Sequence, residues 1–238
     1  MEDILTMGFA ALGIAPPPGA TESFRRYYEL MSERNRVMNL TAIEGEIDTA
    51  RLHFLDCAAL LSLPELSFDG KRVIDVGTGA GLPGVAVAIL CPETNLTLLD
   101  AHAKRTRFLE EVIETLPLTN TGCVTARAEE AGRLPEYRER YDIAMARAVA
   151  RLDELCELCL PYVRVGGVFV AMKSADCSEE LSNSARAIEL LGGGDVRVCE
   201  YAIPGTDLRR AAIVIKKCAA TPERYPRRYS RITKAPLS

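Results

Sequence analysis

Asp75, Gly77, Gly79 and Gly81 stand at alternate positions in R-V-I-D-V-G-T-G-A-G-L-P-G, residues 72–84, and this spacing suits the holding of a small molecule. Glycine main chain takes conformations closed to other residues, and with no Cβ in the way a ligand can approach the peptide groups themselves. The stretch from Gly79 to Gly84 also satisfies G-x-G-x-x-G, the dinucleotide fingerprint, which alone is a weak signal. The two patterns call for opposite charges. A pyrophosphate wants a helix N-terminus and no nearby anion, whereas the acid at position 75 favours a ligand carrying positive charge. Asp100 follows about 20 residues past the glycines, the distance at which an acid accepts hydrogen bonds from ribose hydroxyls. Arg147 lies in the last part of an apolar run, at the sheet edge where ligands bind. His53 is one of two histidines, and a lone histidine on a helix reads first as a structural hydrogen-bonding residue.

The elements that must position these residues alternate along the chain. Val73-Ile74-Asp75-Val76 is a β-branched run cut off by glycine, as a buried parallel strand ends, and 85–90 reads as a buried helix with Pro83 near its first turn. Strands follow at 95–99, 122–126, 141–149 and 168–172, with helices at 104–116, 152–163 and 179–191 and a turn at Gly166-Gly167. The loop after the third strand commonly lies beside adenine, which points to Ala128 and Glu129. Such alternation predicts an α/β fold, a mostly parallel sheet with helices on both faces. Two closing strands, 196–203 and 211–215, flank Pro204-Gly205-Thr206-Asp207 as an antiparallel hairpin at one edge. Ahead of the sheet, 2–12, 21–38 and 48–63 read as helices, with a turn at 39–43. The division expected is an N-terminal helical extension (1–65), an α/β domain (66–220) and a basic C-terminal tail (221–238).

With 48% hydrophobic and 26% charged residues among 238, the composition is that of an ordinary globular protein. The N-terminus carries Glu2 and Asp3 rather than a basic leader, and no apolar run approaches the ~20 residues of a spanning helix. A cytoplasmic protein with no membrane association is expected. Its eight cysteines then read as small buried hydrophobes, and the lone C-x-x-C of Cys156 and Cys159 lacks the second pair that zinc would need, so no metal is expected. A net charge of -4 argues against a protein that coats nucleic acid through many phosphate contacts. The tail reverses that balance: arginines and tyrosines interleave over 225–237, a composition suited to phosphate contact and base stacking on RNA.

The wider pattern Asp75-x-Gly77-x-Gly79-x-Gly81 resembles motif I of the class I S-adenosylmethionine-dependent methyltransferases, whose cofactor brings a sulfonium and an ammonium. More of the chain joins in. Asn39-Leu40-Thr41-Ala42-Ile43, His53-x-Leu55-Asp56, the Leu82-Pro83-Gly84 extension of the loop, Ala146-Arg147-Ala148-Val149 and the Tyr-Pro-Arg-Arg tail closing in Pro236-Leu237 resemble the bacterial RsmG or GidB family. These are small-subunit ribosomal RNA guanine-N7 methyltransferases. Ser230 and Ile232 depart from the glycine and proline of many relatives, and Leu52 replaces the usual arginine before His53.

The resemblance implies a Rossmann-like class I methyltransferase with a seven-stranded sheet. It implies transfer of the methyl group of S-adenosyl-L-methionine to N7 of one guanosine in 16S ribosomal RNA, on the RNA or the small subunit, by a monomer. Carried onto this chain, the cofactor residues are Gly77, Leu82, Ala128, Glu129 and Arg147, joined by Asp100 from the ribose spacing. No general base is expected, because N7 loses no proton when it is methylated. The N-terminal helices, Lys173 and the tail are the surfaces expected to meet RNA. Two alternatives compete: an NAD(P)-dependent oxidoreductase using 79–84 and Asp100, and an RNA-binding protein that has kept the fold and lost the reaction.

Overall fold

The computed structural model describes residues 1–147 and 150–237. Its chain begins with α1 (Glu2–Ala11), α2 (Ala20–Met38), α3 (Glu46–Thr49) and α4 (Asp56–Ala58), and α3 passes into α4 through a π-helical segment, Ala50–Leu55. The expected single helix at 48–63 is therefore interrupted. A π turn bonds i to i+5 and shifts the facing of every residue after it. There follow β1 (Arg72–Val76), α5 (Gly84–Leu90), β2 (Asn95–Asp100), α6 (Ala103–Thr115), β3 (Thr121–Thr125), α7 (Ala128–Ala131) and β4 (Tyr141–Arg147). The expected continuation of the fourth strand through Ala148 and Val149 lies outside the described residues.

The second half comprises α8 (Leu152–Cys159), β5 (Val163–Ser174), α9 (Ser178–Asn183), α10 (Ala185–Leu190), β6 (Gly193–Ala202), β7 (Arg209–Lys217) and α11 (Tyr229–Lys234). Two expectations change here. Gly166-Gly167 does not separate helix from strand: Val163 already pairs with Tyr141 and Val168 with Ile143, so the glycines form a bulge inside β5. The helix expected at 179–191 divides at Ser184, whose hydroxyl donates to the Glu180 carbonyl at 2.7 Å.

The seven strands lie in the order β3-β2-β1-β4-β5-β7-β6, parallel through β5, with β7 antiparallel to β5 and to β6. Side chains alternate across this sheet as the pleat requires. Val73, Leu96, Ile143 and Val170 face a core shared with α1, α2 and α5, whereas Ile74, Leu99, Ala144 and Phe169 face α8, α10 and α11. Phe9, Phe24, Phe54 and Tyr27 form a chain of ring contacts, 4.9–5.8 Å between centroids, that ties the N-terminal helices together.

Register places the strand ends side by side. Thr125 pairs with Asp100, Val76 with Leu99, Arg147 with Met172, Ser174 with Arg210, and Arg210 with Tyr201. In a parallel α/β sheet this carboxyl edge is where ligands bind. Among the described residues no helix is long and apolar enough to cross a membrane.

Candidate active site

The loop after β1 is held open by its neighbours. The amides of Gly77 and Thr78 donate to the Leu99 carbonyl at 2.8 and 3.0 Å, and that of Gly79 donates to Asp100 Oδ2 at 3.0 Å. From the other side, the buried Tyr27 hydroxyl donates to the Ala80 carbonyl at 2.6 Å. Gly81 has φ +101°, and a Cβ there would lie 2.7–2.8 Å from Leu109, Val85 and the Tyr27 hydroxyl.

Asp75 plays another part than its spacing suggested. Its side chain is fully buried and does not line the cavity. One oxygen accepts from Thr78 Oγ1 at 2.7 Å and from the Gly84 amide at 2.8 Å, so the carboxyl braces both ends of the loop. Burial pushes its pKa up to about 6, against the pull of those two donors. The reason is positional: Asp75 precedes the last residue of β1 and faces the helices, one step inside the edge where a ligand would lie.

A cavity of about 530 Å³ opens over the ends of β3, β2, β1 and β4, and Gly77, Leu82, Asp100, Ala128, Glu129 and Arg147 all line it. Their order follows the sheet. Ala128 and Glu129 begin α7 beyond β3, where first-turn amides have no carbonyl of their own helix to meet. The Ala128 carbonyl accepts from Tyr162 Oη at 2.7 Å, and Glu129 pairs with Arg127 at 2.6 Å. Asp100 ends β2, nearly buried, and also receives the His102 amide at 2.8 Å. Arg147 ends the described part of β4.

Arg147 is the junction of a polar network. One terminal nitrogen donates to the Leu52 carbonyl (3.3 Å) and to Asp56 Oδ2 (3.2 Å), and the other to His53 Nδ1 (2.9 Å). A guanidinium only donates, so Nδ1 must accept and the imidazole proton resides on Nε2. That proton is donated to Thr41 Oγ1 at 2.7 Å, where the Ile43 amide also donates at 3.0 Å. Tyr201 Oη completes the set by donating to Asp56 Oδ1 at 2.9 Å. Burial, reinforced by the Arg147 cation, lowers the His53 pKa to about 3. Its sign matters: below about 6.5 the unfolded chain takes up a proton that folded His53 refuses, so this residue costs stability increasingly as pH falls toward about 3.

Several lining residues were invisible to sequence reading as site residues. Leu40 and Thr41 reach the cavity from the turn after α2, and His102 and Arg105 from the start of α6. Tyr229 reaches it from α11, with the Arg127 guanidinium stacked 4.7 Å from its ring centre. The tail that carries Tyr229 is pinned down. Arg138 and Arg133 donate to carbonyls of Thr221, Arg224, Tyr225 and Pro226, and Arg227 forms a side-on pair with the buried Glu157 at 2.6–3.1 Å. Tyr225 and Arg227 are thereby withdrawn from the RNA contact expected of them, since a buried carboxylate on α8 requires a cation. Arg224, Arg228, Arg231 and Lys234 stay exposed. Cys156 and Cys159 are buried thiols with pKa values pushed up by burial, and among the described residues no three metal-ligating side chains gather.

Comparison with known proteins gives this geometry its family. The profile of rRNA small subunit methyltransferase G, GidB, matches residues 20–206. The chain belongs to the GidB family. Ribosomal RNA small subunit methyltransferase G of Acetivibrio thermocellus is 44% identical over 238 residues, covering 100% of this chain and 97% of the relative. The protein of the same name from Alkaliphilus oremlandii is 42% identical, covering 100% and 99%. GidB membership makes the chain a methyltransferase with S-adenosylmethionine as methyl donor, and the oxidoreductase alternative falls. Among solved structures, the Bacillus cereus O-methyltransferase in complex with SAH is similar at a TM-score of 0.55 and 17% identity, covering 80% of this chain and 91% of that one. Aeropyrum pernix fibrillarin with natively bound S-adenosyl-L-methionine aligns at a TM-score of 0.52 and 18% identity, covering 68% and 73%. Both show the class I methyltransferase fold of the GidB chain.

Proposed function

We propose that this protein methylates N7 of one guanosine in 16S ribosomal RNA, with S-adenosylmethionine held across the strand ends. The observation that carries the placement is the single cavity gathering residues from four adjacent strand ends in the order that a nucleoside with an amino-acid arm requires. Its volume of about 530 Å³ falls among small-molecule sites, which run roughly 300–1,000 Å³. Adenine lies against Ala128 and Glu129, ribose against Asp100, and the methionyl arm between Gly77, Leu82 and Arg147. The bound cofactor supplies an electrophilic methyl group.

The protein's task is alignment. N7 offers an exposed lone pair and carries no proton, so the barrier falls by holding the two reactants in line rather than by acid–base work. His53, the one histidine in the network, is neutral and fully engaged between Arg147 and Thr41. Accordingly kcat is expected to stay flat from about pH 6.5 to 8.5. A titration near 6.5 in the rate profile of saturated enzyme would show that a histidine acts as base after all.

Tyr229 adds a test of the cofactor end. Tyr229→Ala removes the ring under Arg127 at the adenine side, and weakens S-adenosylhomocysteine binding by roughly two- to tenfold in calorimetry. Unchanged affinity would place the adenine elsewhere.

Labelled S-adenosylmethionine incubated with small subunits or 16S RNA from cells lacking this activity tests the whole proposal. One N7-methylguanosine on mapping supports it. Label on another atom or RNA, or none while the cofactor binds, removes the substrate assignment.

A further inference from the structure

A second cavity, about 370 Å³, continues the row of strand ends past Arg147. The first spans β3, β2, β1 and β4; the second has Arg147 of β4, Met172 of β5, Arg210 of β7 and Tyr201 of β6. The two share only His53 and Arg147 as lining residues. Whatever is methylated must come to the methyl end of the cofactor, on the side away from the ribose and adenine. Since Asp100 and Ala128 lie on the opposite side of β1 from Arg147, the compartment beyond Arg147 is the one that meets this condition.

Its lining suits a nucleotide. Leu52 and Met172 present apolar surface, and Met172 is 5% exposed. Tyr201 has its hydroxyl committed to Asp56, leaving the ring to the cavity wall. Arg210 is half-buried at this wall and, among the described residues, has neither an acidic partner nor a side-chain hydrogen bond. Its neighbour Arg209 is exposed and paired with Glu200 at 3.1 Å. Arg147, at the shared wall, keeps its Nε–H without a partner among the described residues. That donor suits O6 of guanine, an acceptor beside N7, where adenine would present an amino donor.

We propose that this second cavity receives the target guanosine, its base against Leu52 and Met172 and a flanking phosphate on Arg210. The assignment rests on the methyltransferase reading above and names the acceptor half of the same centre. An unpaired arginine at the rim engages a phosphate as a charge-assisted donor.

Arg210→Glu and, as a charge-matched control, Arg209→Glu test it on the full chain. With small subunits as substrate, R210E raises KM for RNA by roughly ten- to a hundredfold while R209E changes it less than about threefold, and both bind S-adenosylhomocysteine as the unaltered protein does. Equal effects of the two, or none from R210E, overturn the cavity assignment and leave the methyltransferase reading standing. If the unaltered protein methylates no guanosine N7, guanosine monophosphate added to the S-adenosylhomocysteine complex decides by saturation-transfer NMR. Binding lost in R210E and kept in R209E retains the cavity as a nucleotide site while the N7 reading falls. No binding, or binding indifferent to Arg210, removes both.

Discussion

Gly81→Ala is expected to abolish binding of S-adenosylhomocysteine and to lower stability by about 2–4 kcal/mol, read by calorimetry and by thermal unfolding. Two costs coincide at this residue. The backbone has φ +101°, outside the range that a side chain tolerates, and the new methyl would press on Leu109, Val85 and Tyr27 at 2.7–2.8 Å. None can withdraw freely: Leu109 and Val85 are core residues, and Tyr27 Oη holds Ala80. The loop would have to move, and with it the Gly79 amide that bonds Asp100. Gly79→Ala is the informative comparison, because a Cβ there meets nothing nearer than the Gly77 carbonyl at 3.9 Å, although φ is +60°. It should fold better than G81A; equal stability of the two would show that backbone strain alone governs the loop.

Arg147→Met is the other large effect. Methionine fills similar volume and removes the cation, leaving Asp56 buried with only Tyr201 and His53 Nδ1 with no donor. Removing one partner of a buried charge pair costs about 3–5 kcal/mol, and losing a positioned charge at a reacting centre costs at least about a hundredfold in rate. Methyl transfer should therefore fall by that factor or more, with a lowered Tm. Arg147→Lys restores charge, yet a single ammonium cannot span the Leu52 carbonyl, Asp56 and His53 as the planar fork does, so only part of the stability returns. Full activity in R147K would show that charge alone is needed.

Much of this architecture could be read from the chain because it is written locally. Val73-Ile74-Asp75-Val76 followed by glycine announces a buried strand and a loop, and Asp100 lies where the second strand must end. Gly77, Asp100, Ala128, Glu129 and Arg147 lie at or just beyond strand ends, the places that strand-and-helix alternation locates best, whereas Leu82, in the loop before α5, is named only by the family resemblance. What stayed hidden depends on partners far along the chain. Nothing in A-R-L-H-F-L marks a π turn; it forms where Leu52, His53 and Asp56 all turn to Arg147. Gly166-Gly167 has the look of a turn, and only the pairing of Val163 with Tyr141 makes it a bulge. The basic tail advertised its charge, while the carboxylate that claims Arg227 sits in the largely buried helix α8. The spacing presents Asp75 as an acid for a cationic ligand, but its burial one residue inside the sheet edge, where it braces the loop instead, cannot be inferred from spacing.

The strand order carries a consequence for how the molecule is made. Among the described residues β6 pairs only with β7, and β7 is inserted between it and β5 although it is synthesised later. During vectorial emergence from a ribosome, β1 to β4 come out first, while Tyr229 of the cofactor cavity and the α8, α10 and α11 side chains that cover the second face of these strands follow later. β6 must wait without a hydrogen-bonded neighbour until the final strand slides in and joins it to the sheet. Nascent chains paused between the two strands would thus hold an open sheet edge, and the compartment beyond Arg147 closes only as translation nears its end.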